Sequence, residues 1–283
     1  MDIFKDSKEL QKKISLIKAN GKKIGFVPTM GALHEGHLSL IRSSKKNNDI
    51  TVVSIFVNPK QFGPNEDFKK YPRVHEEDIK ILVKENVDIL FLPDEDLFYN
   101  IDHLTYVEVE QLSDIHCGKS RPGHFRGVTT VVLKLFNIVQ PDQAYFGKKD
   151  FQQLVIINKM VDDLSIPIKI IGCPIVRDID GLALSSRNKY LSVKDREKAI
   201  KINESLNLAK ELIIKGERSS EKIYNIIFNE LNNLEGIKID YISIVDDKNL
   251  KPVKDITKNT VILIACFVGN TRLIDNLHCL DFL

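Results

Sequence analysis

The chain has 283 residues, long for a single compact unit, and we expect two domains. Its 41 Lys and Arg nearly balance 39 Asp and Glu, so a net charge of +2 supplies no broad field for nucleic acid or an anionic membrane. An anionic ligand must therefore be met by local groups.

Asp6 and Glu9 have capping-box spacing ahead of Leu10, Ile14 and Ile17, which predicts a first helix. KKIGFVP reads as a strand, HLSLIRSSKK as a helix, and DITVVSIFV as a strand apolar enough to be buried on both faces. HEEDIKILVKENV is helical by the spacing of Ile79, Leu82 and Val83, and VDILFLP is a short strand. GVTTVVLKLFNIV (helix), QAYFG (strand), FQQLVIINKMVDDL (helix) and IKIIGCPIV (strand) continue the alternation. The alternation specifies α/β architecture: a Rossmann-like, doubly wound parallel sheet over residues 1–176, with right-handed crossovers.

After Val176 the pattern changes. RDIDGLALSSRNKYLS has loop chemistry, and two long helical patterns then precede the strands IKIDYISIV and TVILIACFV. A smaller α+β domain over 177–283 is expected, with the boundary loop at 177–188. The longest apolar run, Val261 to Val268, falls far short of the ~20 residues a membrane-spanning helix needs. No secretory signal is visible, so the cytoplasm is expected, with Cys117, Cys173, Cys266 and Cys279 as free, mostly buried thiols.

GFVPTMGALHEGHLSLIRSSKK places His34 and His37 where a strand hands over to a helix. In a doubly wound sheet ligands bind at the carboxyl ends of strands, beside helix N-termini that present backbone N–H groups. Gly31 and Gly36 remove side chains where a phosphate or ribose would approach. HEGH is one residue short of the zinc pattern H-E-x-x-H, and a helix-capping role for one histidine is the structural alternative. Gly118-Lys119-Ser120 imitates a P-loop, but Ser113 stands where its first glycine is needed; no G-x-G-x-x-G follows a strand. Polar residues also end other strands: Asn58 and Gln61; Gly147, Lys149, Asp150 and Gln153; and Ser185, Ser186 and Arg187 in the boundary loop.

PTMGALHEGH, IFVNPKQFG, GHFRGV, YFGKKDFQQL and GLALSSRN, in this order and down to GNTRLIDN, resemble the pantoate–β-alanine ligase family of the nucleotidyltransferase superfamily. The resemblance implies that pantoate attacks the α-phosphorus of ATP, releasing pyrophosphate and leaving an enzyme-bound pantoyl adenylate. β-Alanine then displaces AMP to give pantothenate, the precursor of coenzyme A. It further implies Mg2+ and a homodimer, for which buried strands near VSIFV offer an interface.

The resemblance also assigns residues. His34, His37, Lys149, Ser185, Ser186 and Arg187 are the expected catalytic groups. ATP is expected on Met30, Gly31, Ala32, Leu33, Glu35 and Gly36 as well as the histidines, on Gly147, Lys148, Lys149 and Asp150, and on Val176, Leu184 and the Ser-Ser-Arg turn. Gln61 and Gln153 would take pantoate, with Arg121 and His124 close by. Glu77 and Asp78 would lie near the metal, and the 177–188 loop would close as a mobile flap to keep water from the adenylate. A phosphate-directed nucleotidyltransferase, a tRNA synthetase and a silent nucleotide-binding module are the competing readings; neither nucleic acid nor membrane is an expected partner.

Overall fold

The computed structural model describes residues 1–64, 66–94 and 98–283, which form two units. The first comprises Met1–Lys148 and Ile156–Pro174, the second Lys149–Val155 and Ile175–Leu283. The division thus falls just before the expected boundary, and the segment after QAYFG groups with the second unit.

In the first unit, β1 (Asp2–Phe4), β2 (Ile24–Thr29), β3 (Ile50–Ile55), β4 (Ile89–Phe91), β5 (Gln143–Gly147) and β6 (Lys169–Cys173) form a parallel sheet in the order β1-β4-β3-β2-β5-β6. Its helices are α1 (Ser7–Ala19), α2 (Glu35–Asn47), α3 (His75–Lys84), α4 (His124–Val139) and, from Ile156 onward, α5 (Phe151–Asp163), whose first turn belongs to the second unit. Strand β1 carries no periodic signal because it is only three residues long. Asp6 caps α1, accepting the N–H groups of Lys8 and Glu9 at 2.9 Å each, and Leu10 and Ile14 point inward one turn apart. The GKS stretch lies in a single helical turn, Cys117–Ser120.

The position of the site follows from the sheet. Chain order reverses direction across the sheet at β2 and β5, the switch point where α/β ligands bind. Strand β2 pairs with β3 along its whole length, from Ile24↔Ile50 to Thr29↔Ile55, but with β5 only at Gly25↔Gln143 and Phe26↔Ala144. Pairing therefore lapses before the carboxyl ends of β2 and β5, where the histidine motif and GKKD begin. Strand β3 is paired on both edges, and Val53, Ile55, Phe56 and Val57 are at most 3% exposed. VSIFV consequently belongs to the sheet interior.

The second unit contains α6 (Val193–Ile214), α7 (Ser220–Asn232) and an antiparallel sheet of β7 (Ile237–Asp246), β8 (Thr260–Val268) and β9 (Thr271–His278). Ala199, Ile202, Leu206, Ala209 and Ile213 recur on one face of α6 and pack with Ile223, Ile227 and Leu231 of α7 against the sheet. Each such aliphatic side chain contributes about 1.5–3 kcal/mol when fully buried. Strand β9 eludes the periodicity because Asp275 and Asn276 occupy buried positions.

Among the described residues no helix is long and apolar enough to cross a membrane. The four cysteines are buried and none forms a disulfide; burial pushes the thiols of Cys266 and Cys279 up to about 12, which keeps them protonated and inert.

Candidate active site

The histidine loop leaves β2 through a turn that Thr29 begins. Thr29 Oγ1 donates to the Ser54 carbonyl at 2.8 Å and accepts the Gly31 N–H at 3.1 Å. Gly31 has φ +80, where a Cβ would stand 2.9 Å from Asp78 Oδ2, and Ala32 follows at φ 51. Asp78 on α3 secures this turn: Oδ2 accepts the Ala32 N–H at 2.9 Å and Oδ1 the Leu33 N–H at 2.8 Å. Burial pushes the Asp78 carboxyl above its ordinary range, against the two backbone donors that favour its charge.

His34 is the N-cap of α2, a place where Ser, Thr, Asp and Asn are usual. Its Nδ1 accepts the Gly36 N–H at 3.2 Å, and His37 Nδ1 accepts the His34 N–H at 3.3 Å. The pair is thus a capping box made of two imidazoles, with ring centroids 4.1 Å apart. A nitrogen that accepts carries no proton, so each neutral ring holds its proton on Nε2. Capping does not exclude chemistry, because the cap engages only Nδ1 of each ring.

Gln61 follows β3 in a short 3-10 turn, Pro59–Gln61, and is 9% exposed. Asn58 Nδ2 donates to Gln61 Oε1 and to the Gly127 carbonyl, each at 3.0 Å, while Asn58 Oδ1 accepts from Tyr99 Oη at 3.0 Å and the Lys60 N–H at 3.3 Å. With both ends of the Asn58 amide engaged, Gln61 must turn Oε1 toward it. Gln61 Nε2 then reaches 3.1 Å from Met30 Sδ, on the histidine loop. A Cβ on Gly127 would stand 2.1 Å from the Lys60 carbonyl oxygen, so only glycine lets α4 approach this turn.

Arg121 is joined to Glu66 through Nε and Nη2, both at 2.6 Å, and reaches the Gln61 carbonyl at 3.4 Å. His124 Nδ1 lies 2.8 Å from the same carbonyl. Burial works upward on the Glu66 carboxyl, but the Arg121 hydrogen bonds and charge outweigh it and hold the group below its ordinary range. The structure thus brings Arg121 and His124 to the backbone of Gln61.

In the second unit, Lys149 lies in a 3-10 turn, Lys148–Asp150, ahead of α5, whose first turn carries Gln153. The boundary segment is a tight hairpin: the Leu184 N–H meets the Val176 carbonyl at 3.0 Å, and Arg177 bridges Ala183. Arg196 fastens it through Asp178 at 2.6 Å and Asp180 at 2.8 Å. The stretch read from its composition as a loop is thus ordered as a hairpin. Ser185 caps the following 3-10 turn, Ser186–Tyr190, accepting the Arg187 N–H at 3.2 Å. Lys149 and Ser185 line one small cavity with Asn188 and Asp275.

A family model described as pantoate-beta-alanine ligase matches residues 2–278. The chain belongs to the pantoate–β-alanine ligase family. It is similar to the pantothenate synthetase of Thermotoga petrophila, 52% identical over 98% of this chain and 99% of that one. The pantothenate synthetase of Sulfurihydrogenibium sp. is 54% identical over 98% and 100%. Among solved structures, pantothenate synthetase from Thermus thermophilus superposes with a TM-score of 0.94 at 41% identity, covering 99% of each chain. The pantoate–β-alanine ligase of Francisella tularensis, solved with beta-gamma ATP and β-alanine, gives 0.78 at 41% identity over 99% of this chain and 98% of that one.

Membership of this ligase family removes the readings as a phosphate-directed nucleotidyltransferase, a tRNA synthetase or a silent module. Of the acidic pair on α3, Asp78 is 1% exposed with both oxygens holding the histidine turn, whereas Glu77, one position away, is exposed. Among the described residues no group of three or more His, Cys, Asp or Glu is placed to hold a metal.

Sequence reasoning marks Asn58 as a polar strand end and includes Thr29, Asp275 and Asn276 in quoted motifs, but gives none of them, nor Glu66, its structural task. They act across the fold on partners distant in the chain.

Proposed function

We propose that this ligase activates pantoate as an acyl adenylate with ATP and then transfers the pantoyl group to β-alanine. The observation that carries the reading is the capping box: two imidazoles whose Nδ1 atoms are engaged by backbone N–H groups, with protons on Nε2 at a helix N-terminus. Attack of the pantoate carboxylate on the α-phosphorus gathers negative charge on the non-bridging oxygens. Fixed neutral donors beside a positive dipole end oppose that charge without having to reorganise.

In this reading Lys149 supplies a point charge to the phosphates, and Ser185, Ser186 and Arg187 act on the same group. The loop Met30–His37, the turn Gly147–Asp150, and Val176 and Leu184 take the nucleotide, several through backbone atoms. Gln61 and Gln153 take pantoate. The set of Gln61 supports this, because an amide that turns its oxygen toward Asn58 offers its N–H to a carboxylate or hydroxyl. Arg121, already paired with Glu66, acts on Gln61 from behind.

Magnesium is proposed to arrive with the ATP phosphates near Glu77 and Asp78, keeping several waters as ligands. A homodimer rests on the resemblance alone, and light scattering at several concentrations tests it. The reaction itself is tested by isotope exchange between pyrophosphate and ATP. Exchange with pantoate present and β-alanine omitted is expected; exchange that requires β-alanine would rule out a free-standing adenylation step.

A further inference from the structure

Strand β9 touches both segments of the second unit that carry site residues. Asn276 Nδ2 donates to the Lys149 carbonyl at 2.9 Å. Its neighbour Asp275 takes a bidentate contact from Arg177, at 2.6 Å from Nη1 and 3.0 Å from Nη2. Arg177 Nη1 also donates to the Gly181 carbonyl at 3.1 Å, so the guanidinium clips the hairpin from its base to its turn. Further along β9, His278 packs edge-on against Phe151, the first residue of α5, with ring centroids 5.3 Å apart.

Consecutive residues on a strand point to opposite faces, and here one face serves each segment. Both side chains are 4% exposed. Burying a carboxylate and a carboxamide in a sheet is costly unless each is paired, and an apolar pair would complete the hydrophobic pattern of β9 better. The pairing they make reaches backbone and an arginine of the two segments. Asp275 Oδ1 also accepts the Asn276 N–H at 2.8 Å, which fixes the carboxylate against its own strand. Holding the Lys149 carbonyl fixes the peptide that follows it, and with it the direction in which the Lys149 side chain leaves the backbone.

We propose that Asn276 and Asp275 are positioning residues of the ligase reaction. Asn276 acts through Lys149, and Asp275 acts through Arg177 on the hairpin that leads into Ser185–Arg187. This rests on the roles proposed above for Lys149 and that turn. The nucleotide should then be bound and activated poorly when the polar pair is lost, even in a folded chain.

The test uses pantoate-dependent pyrophosphate–ATP exchange in the full chain with Asn276→Asp, which keeps the shape but cannot donate, together with Asn276→Ala and Asp275→Asn. Asp240→Asn is the control. Asp240, on β7, holds Arg272 near the other end of β9 at 2.7 and 3.0 Å. Asn276→Asp is expected to raise the KM for ATP at least fivefold and to lower kcat tenfold or more, while Asp240→Asn changes neither beyond twofold at a comparable melting temperature. A lost folded fraction lowers kcat without raising KM, so the KM separates positioning from plain instability. Should Asp275→Asn not fold, the two Asn276 variants carry the test. A wild-type KM for ATP in folded Asn276→Asp overturns the proposal. If Lys149→Ala abolishes exchange in that case, the reading of Lys149 stands and the positioning role alone fails; if Lys149→Ala exchanges normally, both fail.

Discussion

The two units build their parts of the machinery in opposite ways. In the first, the histidines, their cap and the left-handed turn before them lie within one short stretch, and a single buried carboxylate, Asp78, locks the turn from outside. In the second, Lys149, the Val176–Leu184 hairpin and β9 come from three separate stretches, joined by side chains that reach backbone carbonyls or an arginine. A contiguous site tolerates little change to its own residues. A site assembled from distant pieces depends as much on residues that never meet substrate.

The most severe challenge to this contrast is to separate capping from chemistry at His34. Asparagine is a good N-cap, so His34→Asn should keep the melting temperature near wild type while removing the Nε2 donor. Loss of one such donor costs about 2.7–4 kcal/mol of transition-state stabilisation, a fall of roughly 10²–10³ in kcat. A variant that loses stability and rate together would make the histidine a structural cap only.

Next in size is the lock in each unit. Asp275→Asn leaves the Arg177 guanidinium short of its carboxylate and should cost about 3 kcal/mol in urea unfolding. Asp78→Ala strands the buried Ala32 and Leu33 N–H groups and should cost about 2–3 kcal/mol, with a further loss of exchange activity as the turn relaxes. If Asp78→Ala proves the milder in stability but the more damaging in rate, the contiguous site is held by strain in its turn. Equal effects on both measures would erase the contrast between the units.

A smaller effect, with a definite sign in pH, is expected at Glu66. Its carboxyl is held below the ordinary range in the folded chain, so the Arg121 pair contributes stability above the unfolded-state pKa, and that contribution is lost as pH falls through the folded one. Glu66→Gln should lower stability near neutrality, with the difference from wild type shrinking in acid. A gap that widens in acid would contradict the pairing. Smallest of all, Asp6→Ala should cost about 1 kcal/mol by uncapping α1, with exchange rates unchanged, and so gives a baseline for stability loss remote from either site.

Much of the fold was legible in the chain because long elements with strong periodicity report burial directly. The runs in β2 and β3, and the capped α1, are of this kind. Strand β1 was not legible because three residues cannot show a period, and β9 was not because its buried positions hold Asp275 and Asn276. At the site, the histidine motif and Gln61 stood out by residue type at strand ends. Their supports did not: Glu66 reads as a surface charge until Arg121 is placed beside it, and Asp78 reads as a helix-face carboxylate until the histidine turn is placed against it.

By itself the sequence determined the parallel α/β class, the strand end that carries the imidazoles, and the family, since periodicity and short motifs are local properties of the chain. Tertiary structure alone decided that Nδ1 of each imidazole is committed to backbone, that Asp78 serves the histidine turn, and that β9 grips Lys149 and the hairpin. Most of those facts depend on hydrogen bonds between groups tens of residues or more apart. Such bonds form only when burial has brought the groups together and left them no water as an alternative partner.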